Sequence, residues 1–371
     1  MKTGTWTTRG ALLAAALLAA TPALASCSQD TKGETKTADT GSVSSAAAGA
    51  DKPAPFSEGP VKIAVVQNSG AGDYFQQWTN GAKQQADAIG IEYTWYDAQA
   101  DNAKQASDME TAIGSGVTGI VVDHGQADTM CPLINEAIEK GIPVVIYDVA
   151  VAECAPEAVV TQQSDASLAE LSLGQMLADI GPDQNVGYVN VLGIAPLDRR
   201  NVVWEQMVAD NNWNQQFFVG EFTNAVATDN AQLVDAALKA NPDVTAIFAP
   251  YDELTKGTVS AINDNKLNTK ISAYGIDISN ADIEVMTAEG SPWKATATTD
   301  PNAIGAAVMR TMALELAGQQ DARSVDFPGV LVTQAFLLDN SITNMDELRK
   351  ALPELNLSEV QKAEWMPTIT F

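Results

Sequence analysis

Val61 to Ala88, VKIAVVQNSGAGDYFQQWTNGAKQQADA, contains one complete strand–loop–helix unit. Ile63-Ala64-Val65-Val66 has the length and β-branched content of a buried parallel strand. Asn68-Ser69-Gly70-Ala71-Gly72 then supplies residues that tolerate unusual backbone angles, as a tight loop requires. Phe75, Trp78, Ala82, Ala86 and Ile89 follow at three- and four-residue spacing, one apolar face of a helix. This is the first unit of a doubly wound α/β domain, in which ligands bind at the carboxyl ends of the strands. Asp73-Tyr74-Phe75 fall at that end, and the two aromatics either cover a ligand or plug the core.

The alternation continues. Strands are expected at Ile91–Tyr96, Gly119–Asp123, Pro143–Asp148 and Ala158–Thr161, with helices at Asn102–Ser115, Met130–Lys140 and Asp165–Asp179. A second series has strands at Asn185–Val191, Phe217–Phe222, Thr245–Ala249, Ile271–Tyr274 and Lys294–Thr298, and helices near Asn201–Asn211, Asn230–Ala240, Glu253–Asn263 and Asn280–Ala288. Two successive runs of parallel units fit two lobes better than one large sheet.

Upstream, Lys2 and Arg9 precede the short apolar run Ala11–Ala20, the pattern of a targeting segment. Leu24-Ala25-Ser26-Cys27 then matches a lipobox, so residues 1–26 read as a lipoprotein signal with Cys27 lipidated; the bland alternative is an ordinary secretory signal with Cys27 incidental. Residues 27–60 are rich in Ser, Thr, Ala, Gly and charge, with Val43 and Phe56 the only large apolar residues, and read as a flexible tether. The whole chain has 371 residues and a net charge of −26; without residues 1–26 it carries 19 basic against 47 acidic residues, or −28. That balance argues against nucleic acid as a partner.

The ordered segments resemble the ribose-binding-protein family, the type I sugar-binding components of ABC importers. The likeness rests on Ile63 to Ala82 with its aromatic pair and Asn80-Gly81-Ala82, on Gly141-Ile142-Pro143-Val144-Val145-Ile146-Tyr147-Asp148, and on Asn241 to Ala249 running into Asp252-Glu253. Tyr274-Gly275-Ile276-Asp277 and Ala295-Thr296-Ala297-Thr298-Thr299-Asp300-Pro301 complete it. The resemblance implies two doubly wound Rossmann-like lobes joined by three crossings and closing on the ligand. Residues 61–164 plus 301–322 would form the first lobe, and 165–300 plus 323–371 the second.

It also implies the contacts. Tyr74 and Phe75 match the pair that stacks on a sugar ring, and Asp148 and Asp277 match carboxylates that accept hydroxyl protons. Arg200 matches the ligand arginine, with Arg199 a substitute because the loop from Gly193 looks short; Thr299 matches a position often occupied by Gln. Asp123, followed by His124, is a further candidate without a firm match. Val149, Tyr251 and Gly72 depart from the ribose binders, which have Arg, Asn and Asn there. Each departure changes a polar contact, which argues against ribose itself and leaves a small neutral polyol, with Tyr251 as a new contact.

Bland readings stand beside these. A strand-end Asp also caps helices, Arg200 also has Asp198 and Glu205 within reach, and a lone His is more often locally hydrogen-bonded than functional. Trp78, Trp95, Trp204 and Trp213 read as core or lobe-surface residues. Cys131 and Cys154, placed in loops after neighbouring strands, are either bridged or free thiols. The sequence has no GxSxG, HExxH or GxxxxGK motif and no metal-type Cys/His cluster, so no enzyme, metal or cofactor is expected. The expected function is an extracytoplasmic, lipid-anchored, monomeric binder of a small sugar or polyol that delivers it to ABC permease subunits. Its alternatives are a ligand sensor for a membrane receptor and, with Asp148 and Asp277 as the paired carboxyls, a glycoside-processing enzyme.

Overall fold

The structure is a computed structural model, and it describes residues 39–46 and 50–371. After β1 (Ser42–Ser44) the chain runs β2 (Val61–Gln67), α1 (Asp73–Ile89), β3 (Ile91–Asp97), α2 (Asn102–Gly114), β4 (Gly119–Asp123), α3 (Ala127–Glu139), β5 (Val144–Tyr147) and β6 (Val159–Gln163). It continues α4 (Asp165–Ile180), β7 (Asn185–Val189), α5 (Ala195–Asp210), β8 (Asn214–Val219), α6 (Val226–Ala240), β9 (Ala246–Ala249), α7 (Asp252–Asp264), β10 (Ser272–Ile276), α8 (Asn280–Thr287) and β11 (Trp293–Thr298). The remainder is α9 (Pro301–Leu316), β12 (Ser324–Phe327), β13 (Val330–Thr333), α10 (Gln334–Asp339), α11 (Met345–Ala351) and β14 (Thr368–Thr370).

Two six-stranded sheets form two lobes. The first has the order β12-β6-β5-β4-β2-β3, all parallel; the second has β13-β11-β10-β9-β7-β8, with only β13 antiparallel to its neighbour. Central strands such as β4 and β9 are buried along their whole length, as strands covered on both faces must be. The chain passes between sheets three times, after Gln163, after Thr298 and after Phe327. At the second passage α9 packs on α1 so closely that a Cβ on Gly81 or Gly305 would run into the backbone of Asn302 or Trp78. Trp78 is sealed there and stacks on Tyr147, with ring centroids 5.6 Å apart.

Several expectations need correction. Residues 323–371 do not all belong to the second lobe: β12 joins the first sheet, and β14 lies beside α1 and α9. The first lobe holds this last segment with hydrogen bonds. Arg310 donates to the carbonyls of Leu357 and Val360, and Gln85 accepts from the amide of Ile369. Burial pushes the Arg310 guanidinium down to about 10. The tether expectation also fails over its described part. β1 pairs antiparallel with β14, Phe56 meets Trp365 at 5.0 Å, and Arg349 grips Asp39 at 2.6 Å and Asp300 at 2.7 Å. Backbone pairing and one buried arginine do this, and neither leaves a hydrophobic pattern in the sequence. The signal segment, Cys27 and residues 28–38 lie outside the described residues.

Cys131 lies inside α3 and not in a loop; it is disulfide-bonded to Cys154, with Cα atoms 6.0 Å apart. Helix α5 begins at Ala195, six residues before the expected start, because Pro196 in its first turn already has the helical φ. The strand expected at Phe217–Phe222 is β8, three residues earlier. Both shifts matter for the cavity.

Candidate ligand-binding site

A cavity of about 410 Å³ lies between the lobes, lined by loops that follow the carboxyl ends of both sheets. Of the residues expected to bind, Tyr74, Phe75, Arg200, Tyr251 and Asp277 are in its wall. Tyr74 and Phe75 occupy the first turn of α1, and both are almost fully buried. The Tyr74 hydroxyl pairs with that of Tyr147 and accepts from Gln163 Nε2 at 2.9 Å. Gln163 Oε1 in turn accepts from the Thr299 hydroxyl at 3.0 Å, tying two of the crossings together. Phe75 meets His124 edge-on at 5.0 Å and, across the cleft, Tyr251 at 6.3 Å.

Arg200 is 2 % exposed and is held by oxygen acceptors. Its Nε donates to Asp165 Oδ1 at 2.7 Å; its Nη1 donates to the Pro250 carbonyl at 2.6 Å and to Asp277 Oδ2 at 3.3 Å. Burial disfavours its charge, but Asp277 and Asp165 outweigh that and hold it firmly cationic. Asp277 is raised above the usual carboxylate range by burial, with Arg200 pulling the other way. Its Oδ1 is buried without a partner among the described residues. An acceptor left open in a dry wall is what a ligand hydroxyl requires.

Asp148, Thr299 and Asp123 are not in the wall. Asp148 Oδ1 accepts from Arg199 Nη2 at 2.5 Å, and Arg199 also binds Asp165, so this arginine spans the lobes instead of facing the cavity. Burial and the nearby Asp165 push Asp148 up to about 7. Asp123 accepts from Gln67 Nε2 at 2.7 Å and from His124 Nδ1 at 2.6 Å. It supports His124, which does line the cavity. Burial opposes the charged imidazole, yet Asp123, aided by Asp148, raises His124 above its ordinary value.

His124, Asp148 and Asp277 end neighbouring or facing strands with φ of 56°, 55° and 75°, the left-handed region that non-glycine residues avoid. Neither Asp caps a helix: β6 follows Asp148, and Ser279 caps α8. Gly72, at φ 91°, sits where a Cβ would come 2.9 Å from the Tyr251 hydroxyl and 3.2 Å from Glu253. The side chain missing here is thus replaced by the opposite lobe.

Sequence reasoning missed Asn68, Gln126, Gln163, Leu192 and Phe222, all in the wall. It also missed Asn190, just beyond β7, whose amide is buried with neither atom partnered among the described residues. Phe222 was hidden inside an expected strand; nothing in the local pattern singled out the others. Among the described residues no group of His, Cys, Asp or Glu is arranged to hold a metal ion.

The sequence model described as a periplasmic binding protein domain matches residues 63–320. The ribose import binding protein of Bacillus subtilis (strain 168) is 23 % identical over 261 residues, 70 % of this chain and 83 % of that protein. Among solved structures, the 5-methylthioribose transporter solute-binding protein of Thermotoga lettingae, in complex with 5-methylthioribose, has a TM-score of 0.80 at 34 % identity, covering 82 % of this chain and 97 % of that one. A sugar ABC transporter protein of Yersinia enterocolitica gives 0.82 at 29 %, covering 85 % and 97 %. These likenesses agree with the two parallel-sheet lobes and the cleft between them, and the chain belongs to the periplasmic binding protein family.

Proposed function

We propose that this protein captures a small sugar or polyol between its lobes and delivers it to an ABC importer at the outer face of the cell membrane. The observation that carries the reading is the open, buried Oδ1 of Asp277 beside Arg200 in a cavity walled by aromatic rings. A carboxylate of this kind accepts a hydroxyl proton, and a ring C–H face packs on Tyr or Phe. The relatives support the class: one holds 5-methylthioribose and another is a ribose import binding protein. In the same reading Cys27 is lipidated after removal of residues 1–26, and the protein works as a monomer. Tyr74, Phe75, Arg200, Tyr251, Asp277 and His124 make the contacts, while Asp148, Asp123 and Thr299 position them. A glycoside-processing role is disfavoured, because hydrolysis needs two carboxyls facing the sugar and Asp148 is turned toward Arg199.

A thermal-shift screen of the chain from Ser28 onward against monosaccharides and polyols tests this. A ligand at a hundred times its dissociation constant adds roughly 2.7 kcal/mol of stability. A hit that Asp277→Ala abolishes is expected; flat curves for every neutral polyol would sink the reading.

A further inference from the structure

The loops on the second-lobe side of the cavity change character in the order of the strands they follow. Asp277 comes after β10, Tyr251 after β9, Val191 and Leu192 after β7, and Phe222 after the edge strand β8. The sheet order is β10-β9-β7-β8, so the wall grades from a carboxylate through an amphipathic ring to aliphatic and aromatic carbon. The early start of α5 adds Ile194, Pro196 and Leu197 to the apolar end. Leu192 is 55 % exposed, an uncovered large apolar side chain where the cavity opens. Phe222 lies 6.4 Å from Tyr251, so the carbon surface is continuous with the aromatic pair. The one charged residue at this end, Glu221, is exposed, and its backbone, not its carboxylate, is engaged with Asn230.

Part of the polar capacity elsewhere in the wall is spent, while Asp277 Oδ1 and, just beyond β7, the Asn190 amide are open among the described residues. The Asn68 amide donates to Asn102 and Gln105, and Gln163 is used by Tyr74 and Thr299. The cavity of about 410 Å³ lies in the range of small-molecule sites. A uniformly hydroxylated ligand would leave hydroxyls facing carbon at the β7–β8 end, each losing its water without a replacement.

We propose that the ligand is a pentose or similar small polyol carrying a short uncharged apolar substituent, with its hydroxyls at Asp277 and Arg200 and the substituent against Val191, Leu192 and Phe222. This rests on the sugar-binding reading and narrows its substrate class.

Calorimetric titration of the protein with ribose and with two alkyl series, 5-O-methyl to 5-O-propyl ribose and the matching 1-O-alkyl ribosides, tests it. In one series affinity should rise about fourfold per added methylene. Leu192→Asn, at an exposed position that the fold tolerates, should cut that gradient to less than about twofold, with the melting point of the unliganded protein as the folding control. Ribose binding with flat or falling series would overturn the apolar subsite and leave the sugar reading standing. No binding of ribose or of any alkyl derivative would overturn the alkyl-pentose assignment, and the polyol thermal-shift screen then decides the sugar reading separately.

Discussion

Two clusters of charge join the lobes, and they are built differently. In the first, Arg199 and Arg200 hold Asp148, Asp165 and Asp277 through short, directed hydrogen bonds. The planar fork of arginine fixes each carboxylate, and what remains is a defined open oxygen on Asp277 and on Asp148. In the second, Lys256 alone faces Asp73 from the first lobe at 2.7 Å, Glu253 at 2.7 Å and Asp282 at 3.5 Å. Asp252 adds a further buried carboxyl, raised well above its ordinary value by burial and by Asp282. The arginine cluster is a matter of geometry and suits ligand recognition. The lysine cluster is a balance of point charges with acid in excess, and suits adjustment by proton and salt.

Breaking the geometry should have the largest effect. Arg200→Leu strands Asp277 in a dry interior and leaves Asp165 to Arg199 alone; removing one partner of a buried pair costs about 3–5 kcal/mol. A drop in melting temperature on the order of 10 °C is expected by calorimetry; a melt unchanged within error would mean the cluster is hydrated.

The charge balance predicts a pH profile. Burial raises Asp148 to about 7 and Asp282 to about 6, both above an ordinary 3.8. Between pH 4 and 7 the folded chain therefore keeps protons that the unfolded chain releases, so raising the pH favours unfolding. His124, raised as well, contributes stability below its unfolded value and loses it as pH rises through the folded one. All three act in one direction. Stability should be greatest near pH 4–5 and fall by several kcal/mol toward pH 8, on the order of one to two kcal/mol for each pH unit by which a group is raised. Denaturant melts across that range check it; Asp282→Asn should flatten the lower half of the slope, and a profile rising toward pH 8 would refute the assignment.

Affinity separates the clusters further. Asp277→Asn keeps the shape and removes the charge of the open acceptor, and polyol affinity should weaken about 10- to 100-fold. Asp73→Asn loosens only a partly exposed pair, so the change should be under about fivefold and should shrink in high salt. If Asp73→Asn proved the more damaging of the two, the roles given to the clusters would be reversed.

The sequence made much of this legible. The strand, loop and helix from Ile63 to Ile89 follow from periodicity, whereas Asp148 and Asp277 were singled out by the resemblance to the ribose-binding-protein family. Which strand-end carboxylate faces the cavity did not follow, because Arg199 arrives from another lobe to turn Asp148 away. Strand β8 was misplaced because an edge strand shows polar residues, Asn214-Gln215-Gln216, where a central one would show Val or Ile. β12, β13 and the docked residues 39–46 rest on long-range backbone pairing that local pattern does not encode.

Because β1 is zipped to β14 on the first lobe, Val43 is 61 % exposed yet moves with a rigid body. A dye on Val43→Cys therefore reads the position of the first lobe. A second dye at Asn212, on the turn between α5 and β8, reads the second. Energy transfer between the two would follow each closing and opening of the cleft in single molecules, with no reporter near the ligand.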